Sequence, residues 1–293
     1  MLDVSGFTFI KNGFTLGYPV KESILSIEPL CDEVIINVGF EDEACTKDDG
    51  TYEFLKDHFT HKKFKFLKSY WDPKLTSQGL ILSQQTNIAL DACSGKVCQY
   101  IQGDEAVHEN DFHHIHDGHL DMLRDPKIEG LVYRYIHFYG NVDIVKHTRN
   151  IYRREVRAIK NNIGAKSHLD AQGFKVNGTR KLNCKQIEAS IYHYGWARQE
   201  QLMAKKTEAF EKLYHGADHE VKEYKYDRIW GLKRFDQTHP MIMDQWIQDN
   251  KNDIDFWSLP MRFEWKNIGL AISDLVESAS GYRMGEYKNY KLI

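Results

Sequence analysis

The sequence predicts an α/β protein built on a doubly wound, largely parallel sheet with helices on both faces. Three observations point there. Short apolar runs alternate with amphipathic stretches over the first hundred residues, as strand–helix–strand units require. Turn signals such as Asn12-Gly13 and Asp49-Gly50 separate them. The last of these runs stops abruptly on two acids, Asp104 and Glu105, and sheets of this class place ligands at the carboxyl ends of their strands.

Gly6 to Lys11 reads as the first strand. Pro19 then opens an amphipathic helix to about Pro29, because the first helical position tolerates a residue without an N–H; Ile24, Leu25 and Ile27 are its expected core contacts. Glu33 to Val38 is a second apolar strand ending at Gly39. A helix starts at Gly50-Thr51, Phe64 to Leu67 forms a third strand, and a helix from about Ser77 to Ala92 leads into a strand at Val97–Ile101. Beyond Gly130 the alternation changes: Leu131–Phe138, Tyr152–Ile159 and Ser190–Tyr194 read as strands. From Glu200 onward the chain reads as mainly helical, and the division expected is a main domain over residues 1–214 with a helical extension over 215–293.

Bulk properties narrow the function classes. With 293 residues the chain can bury a sizeable core. A formal net charge of -3 supplies no positive field for nucleic acid. No apolar run is long enough to cross a bilayer and no leader pattern is visible at the start, while five scattered cysteines (31, 45, 93, 98, 184) suit reduced thiols, so a cytoplasmic protein is expected.

A strand that ends in carboxylates can hold a divalent cation, and such a cation neutralises a departing diphosphate. The order of features around it resembles the inverting glycosyltransferases of family 2, which have the GT-A (Rossmann-like) fold. The resemblance runs from about Phe7 to Tyr214. It rests on Phe9-Ile10-Lys11-Asn12 with Tyr18-Pro19 and Glu22-Ser23-Ile24, on Cys31 through Gly39, and on Gln84-Gln85-Thr86-Asn87. Gln102-Gly103-Asp104-Glu105 stands in the place of the family's Asp-x-Asp motif, and Ile191-Tyr192-His193-Tyr194-Gly195-Trp196 resembles its terminal strand. The branch it looks most like makes bacterial or viral lipopolysaccharide cores and surface glycans.

The resemblance implies a nucleotide-diphosphate sugar as donor, a hydroxyl of a glycan or lipid-linked molecule as acceptor, and Mn2+ or Mg2+ at Asp104 with His193 beside it. Gln102 replaces the first motif acid, and an amide is a poorer ligand for a hard cation. Arg198 and Lys206 are candidates to neutralise the leaving phosphates, with Phe9, Tyr18, Asp42, Gln84, Asn87 and Gln102 as candidate donor contacts. Inversion needs a general base, for which Asp170 is the first candidate, Glu155 the second and Asp143 the third. Glu155 and Arg157 fall on one strand face, so a buried salt bridge supporting the site is read for Glu155 ahead of the role of base. The histidines at 108, 113, 114, 116 and 119 read as a polar helix face rather than a metal site. In the extension, the stripe Ile268, Leu270, Ala271 and Leu275 reads mostly as core, the alternatives being an acceptor lid, a peripheral membrane contact or a homodimer contact.

Two rivals stand beside the transferase. A sugar nucleotidyltransferase would need a glycine-rich phosphate loop after the first strand, which Phe9 to Gly13 lacks. A non-catalytic glycan- or nucleotide-binding protein on the same fold is kept open by Gln102.

Overall fold

The structure is a computed structural model that describes residues 3–75, 79–215, 223–252, 254–286 and 288–293. The helix start expected at Ser77 lies outside the described residues. The first half follows the expected alternation: β1 (Val4–Ile10), α1 (Val20–Ile27), β2 (Glu33–Phe40), α2 (Thr51–His58), β3 (Phe64–Tyr70), α3 (Leu80–Asp91) and β4 (Val97–Tyr100). A short β5 (Glu105–Val107) and α4 (Phe112–Arg124) lead into a strand-rich middle: β6 (Gly130–Tyr139), β7 (Asn141–Lys146), β8 (Arg154–Lys160), β9 (Ala165–His168), β10 (Gly173–Val176) and β11 (Arg180–His193). After α5 (Glu200–His215) come β12 (Leu232–Arg234), α6 (Asp244–Asp249), α7 (Lys266–Ser280) and β13 (Tyr290–Leu292).

One mixed sheet runs in the order β3-β2-β1-β4-β8-β6-β11-β10-β9. β3, β2, β1 and β4 are mutually parallel, β8 is antiparallel to both neighbours, and β6 and β11 are parallel. β1, β2 and β4 are buried along almost their whole length, as strands covered on both faces require, whereas the edge strand β3 is mostly half-buried or exposed. One face packs Ile24 and Ile27 of α1, Leu55 of α2 and Ile115 and Met122 of α4. The other packs Ala89 and Leu90 of α3 with Phe174 and Val176 of β10. Leu25 of α1 is only partly buried.

β5, β7, β9, β10 and the first ten residues of β11 are absent from the expected set. Their sequences are short or polar: Arg180 to Gln186 alternates exposed and buried positions with lysine, asparagine and arginine on the outer side. Cross-strand pairing supplied by neighbours holds such strands, and no local apolar run announces them. The segment after residue 215 also differs from a purely helical extension. β12 pairs with β7, and β13 adds to β11 at Leu182 to Cys184. On α7 the packed side is Asn267, Leu270 and Ser273, whereas Ile268 and Leu275 are 45% and 72% exposed. The expected apolar stripe is therefore split, with half of it facing outward.

Candidate active site

The site lies where β1 and β4 end. After β4 the chain passes through Gln102 and Gly103, and β5 then pairs antiparallel with the end of β11, placing Glu105 opposite His193. The Tyr194 N–H donates to the Asp104 carbonyl at 2.8 Å. This pairing, rather than anything local, sets Asp104 beside His193. Their side chains meet at 3.5 Å, His193 Nε2 to Asp104 Oδ2.

A third group joins them. α5 begins a few residues after β11 and carries Lys206 back over the strand ends. The Lys206 Nζ donates to Asp104 Oδ2 at 3.1 Å and to the Gly195 carbonyl at 2.8 Å. Asp104, His193 and Lys206 are all under a tenth exposed. Gly195 makes room for them: a Cβ there would sit 2.4 Å from Asp104 Oδ2, 2.5 Å from His193 Nε2 and 2.7 Å from Lys206 Nζ. Burial alone would raise the Asp104 carboxyl, but the Lys206 ammonium and His193 hold it well below the usual carboxylate range. Burial pulls the Lys206 ammonium down to about 8, against the opposing pull of Asp104.

These groups open onto a cavity of about 670 Å3. Phe9, Tyr18, Trp71 and Trp196 give it aromatic walls, α5 forms one side through Lys206, Ala209 and Phe210, and Asp170 and Gln172 close the rim from the β9–β10 turn. Tyr18 lies beneath the Arg198 guanidinium, 4.3 Å from ring centre to carbon. Burial raises the Asp170 carboxyl above its ordinary range.

Of the residues expected from sequence, Phe9, Tyr18, Gln102, Asp104, Asp170, His193 and Lys206 line this one cavity. The others are used elsewhere. The Asp42 carboxylate is outside the cavity and accepts from Thr46 and Lys47, folding its own loop. Gln84 points outward from α3, and its neighbour Gln85 is the buried one, bonded to Asn37 and the Tyr70 carbonyl. Asn87 is bound to β9: it donates to the Ser167 carbonyl at 3.1 Å and accepts from the Ser167 N–H at 2.8 Å. Arg198 is fully buried and donates to the carbonyls of Leu16 and Gly195, fastening the loop after β1 to the turn after β11. Glu155 lies off the cavity with its carboxylate facing Asn289 at 3.3 Å, and burial pushes it up to about 8. The partner of Arg157 is Glu105, not Glu155, through bonds of 3.0 and 2.7 Å, with Tyr135 donating to the same carboxylate. Asp143 is exposed on β7.

Sequence reasoning missed the walls that Ala209 and Phe210 of α5, Trp196 and Gln172 contribute. Trp196 follows Gly195, a strand-end glycine where backbone can approach a ligand closely, so position alone flags it. Gln172 carries no such signal. The histidine group is structural where it is buried: His108 accepts from the Asn110 N–H, and His119 Nε2 meets Gln99 at 3.0 Å with its pKa drawn by burial to about 4.

The donor set does not fit Mn2+ or Mg2+. Hard cations take several oxygen ligands. Of the two strand-end carboxylates only Asp104 lines the cavity, and its Oδ2 already accepts from an ammonium. Glu105 is consumed by Arg157, and the Gln102 amide donates to the Tyr100 hydroxyl at 3.3 Å. Among the described residues no group of three or more His, Cys, Asp or Glu is arranged to hold a metal ion.

No protein-family profile and no curated protein matches the sequence. Among solved structures the chain is similar to S. aureus TarS 1–349 in complex with UDP, with a TM-score of 0.30 and 14% identity over 48% of this chain and 37% of that one. It is also similar to the mannosyltransferase PcManGT from Pyrobaculum calidifontis in complex with GDP-Man and Mn2+, with a TM-score of 0.35 and 14% identity over 55% of this chain and 45% of that one. A further structure of S. aureus TarS gives 0.37 and 13%, over 75% and 41%. The chain thus spans less than half the length of each of these three structures. Likeness of this degree is partial, and function has to be argued from the residues of this chain. Among the described residues no helix is long and apolar enough to cross a membrane.

Proposed function

We propose that this protein is an inverting glycosyltransferase that moves a sugar from a nucleotide-diphosphate donor to a hydroxyl of a glycan or lipid-linked acceptor. The observation that carries the reading is the sharing of one aromatic-walled cavity by two different functional groups. One is the polar cluster of Asp104, His193 and the Lys206 ammonium at the strand ends; the other is Asp170, from the β9–β10 turn. Transfer with inversion needs that pair: positive charge where the diphosphate departs, and a base on the face from which the acceptor attacks.

The reaction then follows from the placement. The donor's base and ribose stack among Phe9, Tyr18 and Trp71, with Gln102 at the sugar end. The Asp170 carboxylate takes the acceptor hydroxyl proton while the acceptor oxygen forms its bond to the anomeric carbon. The bond from that carbon to the diphosphate oxygen breaks, and the nucleoside diphosphate leaves with the electron pair. Burial suits Asp170 to this work, since a raised carboxyl is a stronger base once ionised. Residues 1–214 form the catalytic part on this reading; every described residue that lines the cavity lies before position 214.

Incubation with a panel of nucleotide sugars tests it. Donor hydrolysis or transfer that disappears in Asp170→Asn, with nucleoside diphosphate binding retained, supports the enzyme. Binding without turnover by the unaltered chain would leave a non-catalytic glycan- or nucleotide-binding protein instead.

A further inference from the structure

We infer that Lys206 takes the place of the divalent cation: its ammonium is the fixed positive charge that meets the leaving diphosphate, and Asp104 positions that ammonium instead of a metal ion. The inference rests on the reading of the cavity as a nucleotide-diphosphate sugar site.

Four observations lead to it. The acceptor atom that a cation would need, Asp104 Oδ2, accepts from Lys206 Nζ at 3.1 Å. An ammonium has three N–H donors, and among the described residues two of them are used, on Asp104 and on the Gly195 carbonyl. The third is left for a ligand, and Lys206 lines the cavity. The ammonium is also enclosed by aromatic rings, 5.4 Å from the Tyr18 centroid and 5.6 Å from that of Trp196, which stabilise a cation held out of water. Last, the neighbouring groups that would complete a metal's coordination are committed elsewhere. Glu105 is paired with Arg157, and position 102 offers an amide.

A carboxylate and an ammonium buried together are strongly coupled. Removing either alone exposes the other to the full cost of burial without a partner, which is a route to misfolding. The test therefore uses the full chain in four forms: unaltered, Asp104→Asn, Lys206→Met, and the double variant, which removes both charges together. Binding of UDP, GDP, CDP and dTDP is measured by calorimetry in excess EDTA and again with MnCl2, with circular dichroism confirming the fold of each form.

The expected result is that at least one diphosphate binds the unaltered protein equally well in EDTA and in manganese. Lys206→Met and the double variant should then lose about 30-fold or more in affinity. Asp104→Asn should lose less affinity than Lys206→Met, because it keeps the amine that meets the phosphates and loses only the group that positions it. If binding appears only with manganese, or if Asp104→Asn abolishes it while the double variant is no worse, the cation is a metal and the inference is overturned while the transferase reading stands. If affinity in EDTA is unaffected by Lys206→Met, the inference is likewise overturned. Failure of all four diphosphates to bind under either condition would remove the donor-site reading, and the inference with it.

Discussion

Asp170 is held between two residues in the left-handed region, Leu169 at φ 52° and Ala171 at φ 61°. Each costs on the order of 1 kcal/mol for a residue with a Cβ, and backbone strain of this kind tends to gather at functional turns. A base must be ionised to act, so transfer should rise with pH through the Asp170 pKa, at a pH above that of an ordinary aspartate. A rate profile of unaltered protein and Asp170→Glu would measure it, and a flat profile would point to another base. Gly195→Ala should weaken nucleoside diphosphate binding by at least tenfold, because the added methyl falls inside contact distance of Asp104, His193 and Lys206. Thermal unfolding would show whether that loss is local. Glu155 makes a different prediction. Its folded pKa of about 8 lies above the usual 4.5, so between those values the folded protein keeps a proton that the unfolded chain has released. The associated stability is complete below pH 4.5 and is lost as pH rises through 8, a few kcal/mol in all. Glu155→Gln should therefore flatten the dependence of Tm on pH, and raise Tm at pH 8 while leaving it nearly unchanged at pH 4.5.

At the scale of elements, β5 and the β9–β10 hairpin decide the site, although neither has a strand signal of its own. β5 is three residues long, yet its pairing with β11 fixes the distance between Asp104 and His193. The hairpin carries Asp170 and is clamped to α3 by the two hydrogen bonds of Asn87. Asn87→Ala should release that clamp at a cost of about 1–3 kcal/mol and slow turnover through the displaced Asp170, with nucleoside diphosphate affinity nearly unchanged. If affinity falls and turnover does not, Asn87 touches the donor after all. β1, β2 and β4 were legible because both their faces are buried along almost their whole length. Polar strands such as the first half of β11 were not, since what holds them is a neighbour's backbone.

At the scale of the whole molecule, the segment after residue 215 is tied to the sheet by side chains as well as strands. Arg153 bonds Glu277 at 2.6 Å and Glu286 at 2.7 Å, and Arg283 returns to Glu277 at 2.8 Å. Removing residues 288–293 should lower Tm markedly, since it strips β13 from β11 and Asn289 from Glu155; an unchanged Tm would mean that the end of the chain is ornamental. What the sequence determined unaided was the layered α/β plan, because burial on two faces writes itself into continuous apolar runs, and the identity of Asp104, Asp170 and His193 as groups worth attention. Only the tertiary structure decided what those groups do to one another. Lys206 lies 102 positions from Asp104, and no pattern in the chain foretells their meeting. The same is true of Glu105, which reads as half of an acid pair at a strand end and is instead the buried counter-ion of Arg157. Periodicity reports which side of an element avoids water, whereas the partner of a buried charge is chosen by sheet register and helix placement, and these are properties of the assembled molecule.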